Sequence, residues 1–219
     1  MAHRVAPVLA DPFKAFEAPV VAATPQSLKG YGTLVDDFAT AKVEIVRWPA
    51  QGWRPVDPDT GDQAGTTEGT FSFWWQGEVL HGRNEAVGDS YLIGWSRDPR
   101  EASETAHPGA NGAPGRERAL IWHVNYHPDG GQLFFPKDRK PFLLPLALPG
   151  DDLRPEHFTA FWCDGTQGVC IHPGVWHEGV IPLEPAQAFD DRQGRVHARV
   201  SCNLVEEFGG YLAVPLRAP

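Results

Sequence analysis

The 219-residue chain has few cysteines, no long apolar run and no nucleotide-binding motif. No transmembrane helix is predicted, because about 20 consecutive apolar residues would be needed. The N-terminus lacks the basic-then-apolar pattern of a secretory signal. A formal net charge of −9 argues against a nucleic acid or an anionic membrane as partner. Cys163, Cys170 and Cys202 have no C-x-x-C spacing, so they are interpreted as reduced, buried thiols of a cytoplasmic protein.

Glycine and proline, 23 and 21 residues respectively, are spread along the chain between short runs rich in Val, Ile, Phe, Trp and Tyr. This pattern predicts an all-β fold of many short strands. Closure into a β-barrel or jelly roll would protect the strand edges. We expect one domain over residues 1–219, with N-terminal strands and insertions in 1–117 and a motif-bearing barrel core in 118–208. The predicted strands are 41–48, 70–75, 90–95, 118–126, 131–136, 142–148, 157–163, 167–172, 179–183 and 197–208.

Four segments are predicted not to be strands. Residues 54–69 and 97–117 are polar and turn-rich, which indicates long loop insertions or the rim of an active site. The stretch TPQSLKGYG (24–32) predicts a short N-terminal helix of one or two turns after a Thr-Pro start. The acid-rich stretch EPAQAFDDRQGR (184–195) is interpreted as a solvated hairpin loop.

One polar cluster lies in WHVNYHPDGGQLFFP, residues 122–136. On a strand, His123, Asn125 and His127 share one face, with bulky apolar side chains opposite. Three polar side chains in a row indicate a strand that lines a wet cavity. Residues 128–131 predict a hairpin turn, which would bring His127 and Gln132 together.

A second cluster lies in GVCIHPGVWHEGV, residues 168–180, where His172 and His177 flank a Pro-Gly pair. Two side chains five residues apart on a continuous strand face opposite ways. Pro-Gly marks a turn, so both imidazoles can face one cavity. Glu178 is expected on the opposite face from His177.

These clusters have the shape of the two cupin motifs and carry a closer resemblance. The runs His-Pro-x-Gly-x-Gln-x-Phe-x-Pro (127–136) and Gly-Val-x-x-His-x-x-x-Trp-His (168–177) resemble signatures of the ureidoglycolate lyase family. So do PFLLPLALPGDD (141–152), TAFWCDGTQGV (159–169) and, more weakly, YGTLVDD (31–37). The resemblance implies a cupin-like β-barrel, a homodimer, and an enzyme of purine breakdown that splits ureidoglycolate into glyoxylate and urea.

Two stretches depart from the family pattern. Pro173 stands where the family usually has Arg. The family's Glu-x-Glu-Arg-His is His-x-Asn-Tyr-His over residues 123–127. A changed substrate therefore stays open.

The resemblance and the histidine chemistry together suggest roles in such an elimination. A histidine suits proton transfer because its ordinary pKa is near 6.5. His127 or His177 is predicted as the base, His172 as the acid or a donor to substrate, and Gln132 as an orienting amide.

Further predicted residues would bind a metal or the substrate. A divalent metal of unknown identity would be held by His127 and His177, with His123 and Gln132 as further ligands. The substrate carboxylate would be bound by that metal or by a cation. The predicted substrate-binding residues are Asn125, Lys137 and Arg83.

Two alternatives remain. One is another metal-dependent cupin enzyme, such as an isomerase, decarboxylase or oxygenase, acting on a different small organic acid. The other is a non-catalytic barrel that binds a small molecule.

Overall fold

A computed structural model describes residues 7–46, 52–61, 65–109, 115–195 and 198–219. The predicted all-β class is confirmed. The elements are β1 (Ala15–Glu17), β2 (Val20–Ala22), β3 (Gly32–Val35), β4 (Thr66–Gln76), β5 (Val79–Asn84), β6 (Asp89–Trp95), β7 (Arg118–Ile121), β8 (His123–Tyr126), β9 (Gln132–Pro136), β10 (Phe142–Ala147), a 3-10 turn (Pro155–His157), β11 (Thr159–Cys163), β12 (Gly168–Ile171), β13 (Trp176–His177), β14 (Ile181–Pro182), β15 (Ala186–Gly194), β16 (Val200–Asn203), α1 (Leu204–Phe208) and β17 (Tyr211–Pro215). Neither helical element in these ranges has the length and apolar character needed to span a membrane.

The strands form two sheets that pack on one hydrophobic core, a cupin-like arrangement. The order is β1-β17-β7-β6-β5-β4-β15-β9-β12-β3 in the ten-stranded sheet and β16-β8-β13-β10-β11-β2 in the seven-stranded sheet, with β14 beside β10. Fully buried side chains from both sheets meet in the core, among them Phe73, Phe134, Leu144 and Trp176. Burying each contributes about 1.5–3 kcal/mol. This core fixes the two sheets against each other.

The chain passes from one sheet to the other at two places, where the sequence predicts one continuous strand and one hairpin. The predicted strand 118–126 is two strands, because β7 joins the ten-stranded sheet and β8 the seven-stranded sheet. The predicted hairpin at 128–131 is instead a corner between β8 and β9, which lie in different sheets. The N–H of Gly131 donates to Glu44 O (2.8 Å) at this corner. The polar residues on both sides of the corner thus face the space between the sheets.

The predicted N-terminal helix is wrong, since residues 25–31 form consecutive turns. The only α-helix in the described ranges is α1, inside the predicted strand 197–208. The Asn203 side chain accepts from Val205 N and Glu206 N, so it caps the helix start and ends the strand. Gly209, with φ 71°, ends the helix in the left-handed region.

Three more sequence predictions differ from the structure. The segment 184–195 is not a loop, because β15 pairs with both β4 and β9 at the centre of the ten-stranded sheet. In 41–48 the structure shows only an isolated bridge at Ile45, with residues 47 and 48 outside the described ranges. The loop predicted over 54–69 ends early, since β4 begins at Thr66. The three cysteines are free and buried, as predicted.

Candidate functional site

A cavity of about 460 Å³ opens between the two sheets. Its apolar wall includes Phe71 and Phe134, and Tyr91 adds a phenol whose pKa is raised by burial, so that it stays a hydrogen-bond donor. The other lining residues are Pro58, Asp59, Thr60, Asn84, Ala86, Val87, Asp89, Asn125, His127, Gln132, His177, Glu178, Gly179, Gln193, Arg195 and Arg199.

The histidines at 127 and 177 come together at this cavity. Their ring centroids are 5.2 Å apart, although the residues belong to separate sequence motifs. Nδ1 of His177 is 2.8 Å from Val175 O, and Nδ1 of His127 is 3.0 Å from Ala198 O. A carbonyl oxygen only accepts, so each Nδ1 carries the proton in the neutral ring. Each Nε2 then holds a lone pair.

His177 has the properties of a general base. The residue is 4% exposed, and its Nε2 is buried with no hydrogen-bond partner. Burial lowers the pKa of His177 below its ordinary value, against smaller raising effects of Val175 and Glu178. The ring is therefore neutral at pH 7, with its lone pair available.

The Pro-Gly turn brings the two histidines together. Gly174 adopts φ 79°, a left-handed conformation that glycine adopts without strain. Its N–H donates to His127 O (2.8 Å), so the turn is fastened to the residue that His177 approaches. β13 follows at once and places His177 opposite Asn125 of β8. The sequence prediction that this turn redirects the second motif is confirmed for His177.

The polar face predicted on β8 is present. His123, Asn125 and His127 are all partly exposed, while Val124 and Tyr126 between them are buried. Asn125 lines the cavity, and its Nδ2 lies 3.5 Å from His177 O.

Glu178 lies at the cavity, contrary to the expectation that it faces away. β13 ends at His177, so the strict alternation of a strand does not extend to Glu178. Its Oε1 accepts from Gly179 N (3.1 Å), and its Oε2 lies 3.0 Å from His123 Nδ1. His123 therefore faces Glu178 and is not among the residues that line the cavity.

Three other predicted residues lie away from the cavity lining. His172 begins the Pro-Gly turn, partly exposed, and its N–H donates to Tyr31 O. Lys137 forms a surface ion pair with Asp190 (2.8 Å). Arg83 is exposed because alternation along β5 turns its neighbours inward instead. These three placements correct the expectation that they face the substrate.

The sequence reasoning missed two cationic lining residues, Arg195 and Arg199, and Arg199 is held by an ion pair. Its Nε donates to Asp57 Oδ2 (2.7 Å), which also accepts from Ser201 Oγ (2.6 Å). Asp57 belongs to the segment 52–61 and thus fixes the guanidinium at the cavity. The alternation in HARVSCN gives one signal for Arg199, but nothing in the sequence joins it to Asp57.

The predicted metal ligands do not gather into one set. In the part of the chain that the structure describes, no three His, Cys, Asp or Glu side chains form a group suited to a metal ion. His123 faces Glu178, and the Gln132 amide nitrogen donates to Asp191 and Gln193. The divalent metal stays a prediction.

Fold and site together define a cupin-like β-protein with an imidazole pair in a polar cavity, and comparison with known proteins adds the family. Residues 100–206 match the family model described as ureidoglycolate lyase. Ureidoglycolate lyase of Stutzerimonas stutzeri (strain A1501) is 44% identical over 77 residues, 34% of this chain and 45% of the relative. The enzymes of that name from Azotobacter vinelandii (strain DJ) and Pseudomonas savastanoi pv. phaseolicola (strain 1448A) are 47% identical over 57 residues and 43% over 76. These matches cover 26% and 34% of this chain, and 34% and 45% of the relatives.

Residues 100–206 are thus similar to the ureidoglycolate lyase family, in agreement with the resemblance seen in the sequence. The chain spans less than half the length of the curated relatives it matches. Nine of the nineteen residues that line the cavity precede residue 100. The matched region thus supplies the histidines, and the preceding region supplies about half of the walls.

Proposed function

We propose that this protein is a carbon–nitrogen lyase that cleaves a small ureido hydroxy acid, ureidoglycolate, into glyoxylate and urea. The observation that carries the proposal is the buried, unpartnered Nε2 of His177 beside His127 in a polar cavity. The match of residues 100–206 to the ureidoglycolate lyase family model supports this reaction type.

His177 acts as the base in this proposal. Its Nε2 takes the proton from the substrate hydroxyl, and the oxygen electrons form the carbonyl of glyoxylate as the carbon–nitrogen bond breaks. A neutral ring is required, and burial keeps it neutral at pH 7. The hydrogen bond from Nδ1 to Val175 O fixes the tautomer and steadies the imidazolium that forms.

His127 enters the reaction as the imidazolium and supplies its Nε2 proton to the departing urea nitrogen, while Nδ1 keeps its bond to Ala198 O. A positive charge is less costly on His127 than on His177, because His127 is partly exposed and His177 is buried. One proton is taken and one is given, so the cleavage is neutral overall. The ring centroids are 5.2 Å apart, so one proton transfer between the rings, directly or through a water molecule, resets the pair.

Arg199 binds the substrate carboxylate. Asp57 occupies its Nε, which leaves the rest of the guanidinium fork for a bidentate contact. This assignment replaces the predicted roles of Lys137 and Arg83 in binding the carboxylate. It also supplies a positive charge that this chain lacks at Pro173, where the family usually has Arg. In this chain the cation comes from another part of the sequence.

A second candidate follows from the cavity walls. Pro58, Asp59 and Thr60, together with six residues of 71–91, lie outside the region that matches the family. This observation favours a ureido or carbamoyl acid with a larger substituent, cleaved by the same chemistry. Comparison of ureidoglycolate with such acids as substrates separates the two candidates.

Oligomeric state, compartment and metal content belong to the proposal as well. By the family resemblance we propose a homodimer that works in the cytoplasm in purine breakdown and is activated by a divalent metal. Size-exclusion chromatography with light scattering and metal analysis of the purified protein test the dimer and the metal.

The test of the function is product formation by the purified protein. With ureidoglycolate, glyoxylate and urea are expected in equal amounts, measured before and after treatment with a chelator. Activity that survives chelation supports the metal-free scheme, whereas activity restored only by added metal supports the predicted cofactor. No glyoxylate above the uncatalysed rate under either condition contradicts the proposal.

A further inference from the structure

A hydrogen-bonded network of amides covers part of the inner face of the ten-stranded sheet. Gln132 Nε2 donates to Asp191 Oδ1 (2.8 Å) and to Gln193 Oε1 (3.0 Å). Asn84 Nδ2 donates to Asp191 Oδ2 (3.2 Å) and to Gln193 Oε1 (3.4 Å). All four residues are at most 5% exposed, and the three amides line the cavity.

Strand geometry brings these residues together. Gln193 of β15 and Gln132 of β9 are direct cross-strand partners, so their side chains share one face. Asn84 lies two strands away, across β4. Gly69, the partner of Asp191 on β4, has no side chain, and Asn84 therefore reaches Asp191 directly.

The network fixes which way each amide points. The two carboxyl oxygens of Asp191 each receive an amide N–H, which orients Gln132 and Asn84 with nitrogen toward Asp191. Gln193 then meets two NH₂ groups, so its oxygen must face them. Reversing Gln193 would set donor against donor, and reversing Gln132 or Asn84 would set acceptor against acceptor.

Two polar atoms of these amides take no part in the network. Gln132 Oε1 is an acceptor and Gln193 Nε2 is a donor, and neither has a hydrogen-bond partner among the residues that the structure describes. Both side chains line the cavity. The sheet thus presents an acceptor beside a donor, held by a buried carboxyl group.

We propose that Gln132 and Gln193 form a clamp that binds the ureido group of the substrate. Gln132 Oε1 accepts from a ureido N–H, and Gln193 Nε2 donates to the ureido carbonyl oxygen. An adjacent N–H and C=O is what a ureido or carbamoyl group offers, while a carboxylate or an alcohol offers no such pair. The clamp rests on the proposed function, and it gives Gln132 a specificity role in place of metal ligation.

Asp191 is a positioning residue in this inference. It is 0% exposed and is not among the lining residues, so it acts only through the amides that it holds.

The test uses two ligands that do not react. Ureidoacetate has the ureido and carboxylate groups without the hydroxyl, and glycolate has the carboxylate without the ureido group. For Gln193→Met, calorimetry should show ureidoacetate binding weakened at least about tenfold, with glycolate binding changed less than about twofold. Gln187→Met is the matched control, since Gln187 is a buried glutamine on the same strand that bonds Asp138 and Lys140 outside the cavity. It should bind both ligands like the wild type.

A wild-type measurement keeps the inference testable if Gln193→Met does not fold. 4-Methylpentanoate has the shape of ureidoacetate but no ureido hydrogen bonds, and it should bind at least about tenfold more weakly. Equal affinity for the two, or unchanged ureidoacetate binding by Gln193→Met, overturns the clamp and leaves the lyase proposal standing. Wild-type protein that binds neither ureidoacetate nor glycolate and releases no glyoxylate overturns both.

Discussion

At the scale of single residues, the site combines groups whose surroundings move their pKa values in functionally useful directions. Burial lowers the pKa of His177 and raises the pKa of Asp191 to about 7, partly opposed by the amide hydrogen bonds of Gln132 and Asn84. One residue is a base kept neutral, and the other is a carboxyl group close to losing its proton. Each makes a separate prediction.

The pH profile of turnover should fall on its acid side with the protonation of His177. The pKa of His177 lies below the ordinary 6.5, so kcat/KM should be maintained at pH 6.5 and should decline only in more acidic solution. Steady-state kinetics from pH 5 to 8 in the wild type measures this. An acid-side decline already centred above pH 7 would show that another group is the base.

Asp191 should make the folded state less stable as pH rises. Its pKa is about 7 in the folded protein and about 3.9 when unfolded, so between these values the unfolded chain gives up the proton first. The wild type should therefore lose roughly 2–4 kcal/mol relative to Asp191→Asn between pH 4 and pH 7, and little more above that. Urea unfolding of both proteins at pH 4.5, 6 and 8 tests the sign. A stability difference independent of pH would contradict it.

At the scale of elements, the sequence predicts most of the strands but not the sheets to which they belong. Branched and aromatic runs identify β4, β6, β10 and β11 because such residues suit a pleated, half-buried surface. Strand β15 was not predicted from the acidic stretch 184–195, because its buried residues include the polar side chains of Gln187, Asp191 and Gln193. The alternation was readable, but polar residues facing a cavity look like a solvated loop when no partner strand is known.

The turn at Gly174 is the element that most directly controls the site. Gly174→Ala should cost about 1–2 kcal/mol of stability because an alanine is strained at φ 79°. It should also lower kcat at least about tenfold, since the turn is hydrogen-bonded to His127 and leads directly into His177.

The matched control for this turn is Gly209→Ala. Gly209 has φ 71° at the end of α1, and a Cβ there would meet nothing within 4 Å. It should show a similar loss in thermal unfolding with no change in kcat. Equal activities of the two variants would mean that the Pro-Gly turn does not position the histidines.

At the scale of the whole molecule, the cavity is built from two parts of the chain. The region that matches the family model carries the motif histidines, which the sequence predicts as site residues. The role of Arg199 could not be predicted from the sequence, because it depends on a contact with Asp57 about 140 residues away. The hydrogen bond between Asn84 and Asp191 could not be predicted either. Long-range partners of this kind follow from sheet topology, which local patterns do not encode.

The segment 52–61 is attached to the barrel by Arg54, which makes a bidentate pair with Glu207 at 2.7 Å for each bond. Arg54 is 5% exposed. Arg54→Met should destabilise the fold by about 2–3 kcal/mol, because a partly buried carboxylate loses its partner. It should also raise KM, since the same segment holds Asp57 against Arg199.

Arg97→Met is the control for the effect of charge removal. The ion pairs of Arg97 are on the surface, so its loss should leave both stability and KM essentially unchanged. Urea unfolding and steady-state kinetics of both variants measure this. Indistinguishable behaviour of the two would refute the role of Arg54 in holding the segment.

The central claim is that the imidazoles of His127 and His177 transfer the protons of a carbon–nitrogen cleavage. The measurement is kcat for glyoxylate release by His177→Gln and His127→Gln, compared with His172→Gln, with circular dichroism to confirm folding. The account predicts losses of about 10²–10⁴-fold for the first two and near-wild-type turnover for His172→Gln. Near-wild-type turnover by folded His177→Gln would contradict it.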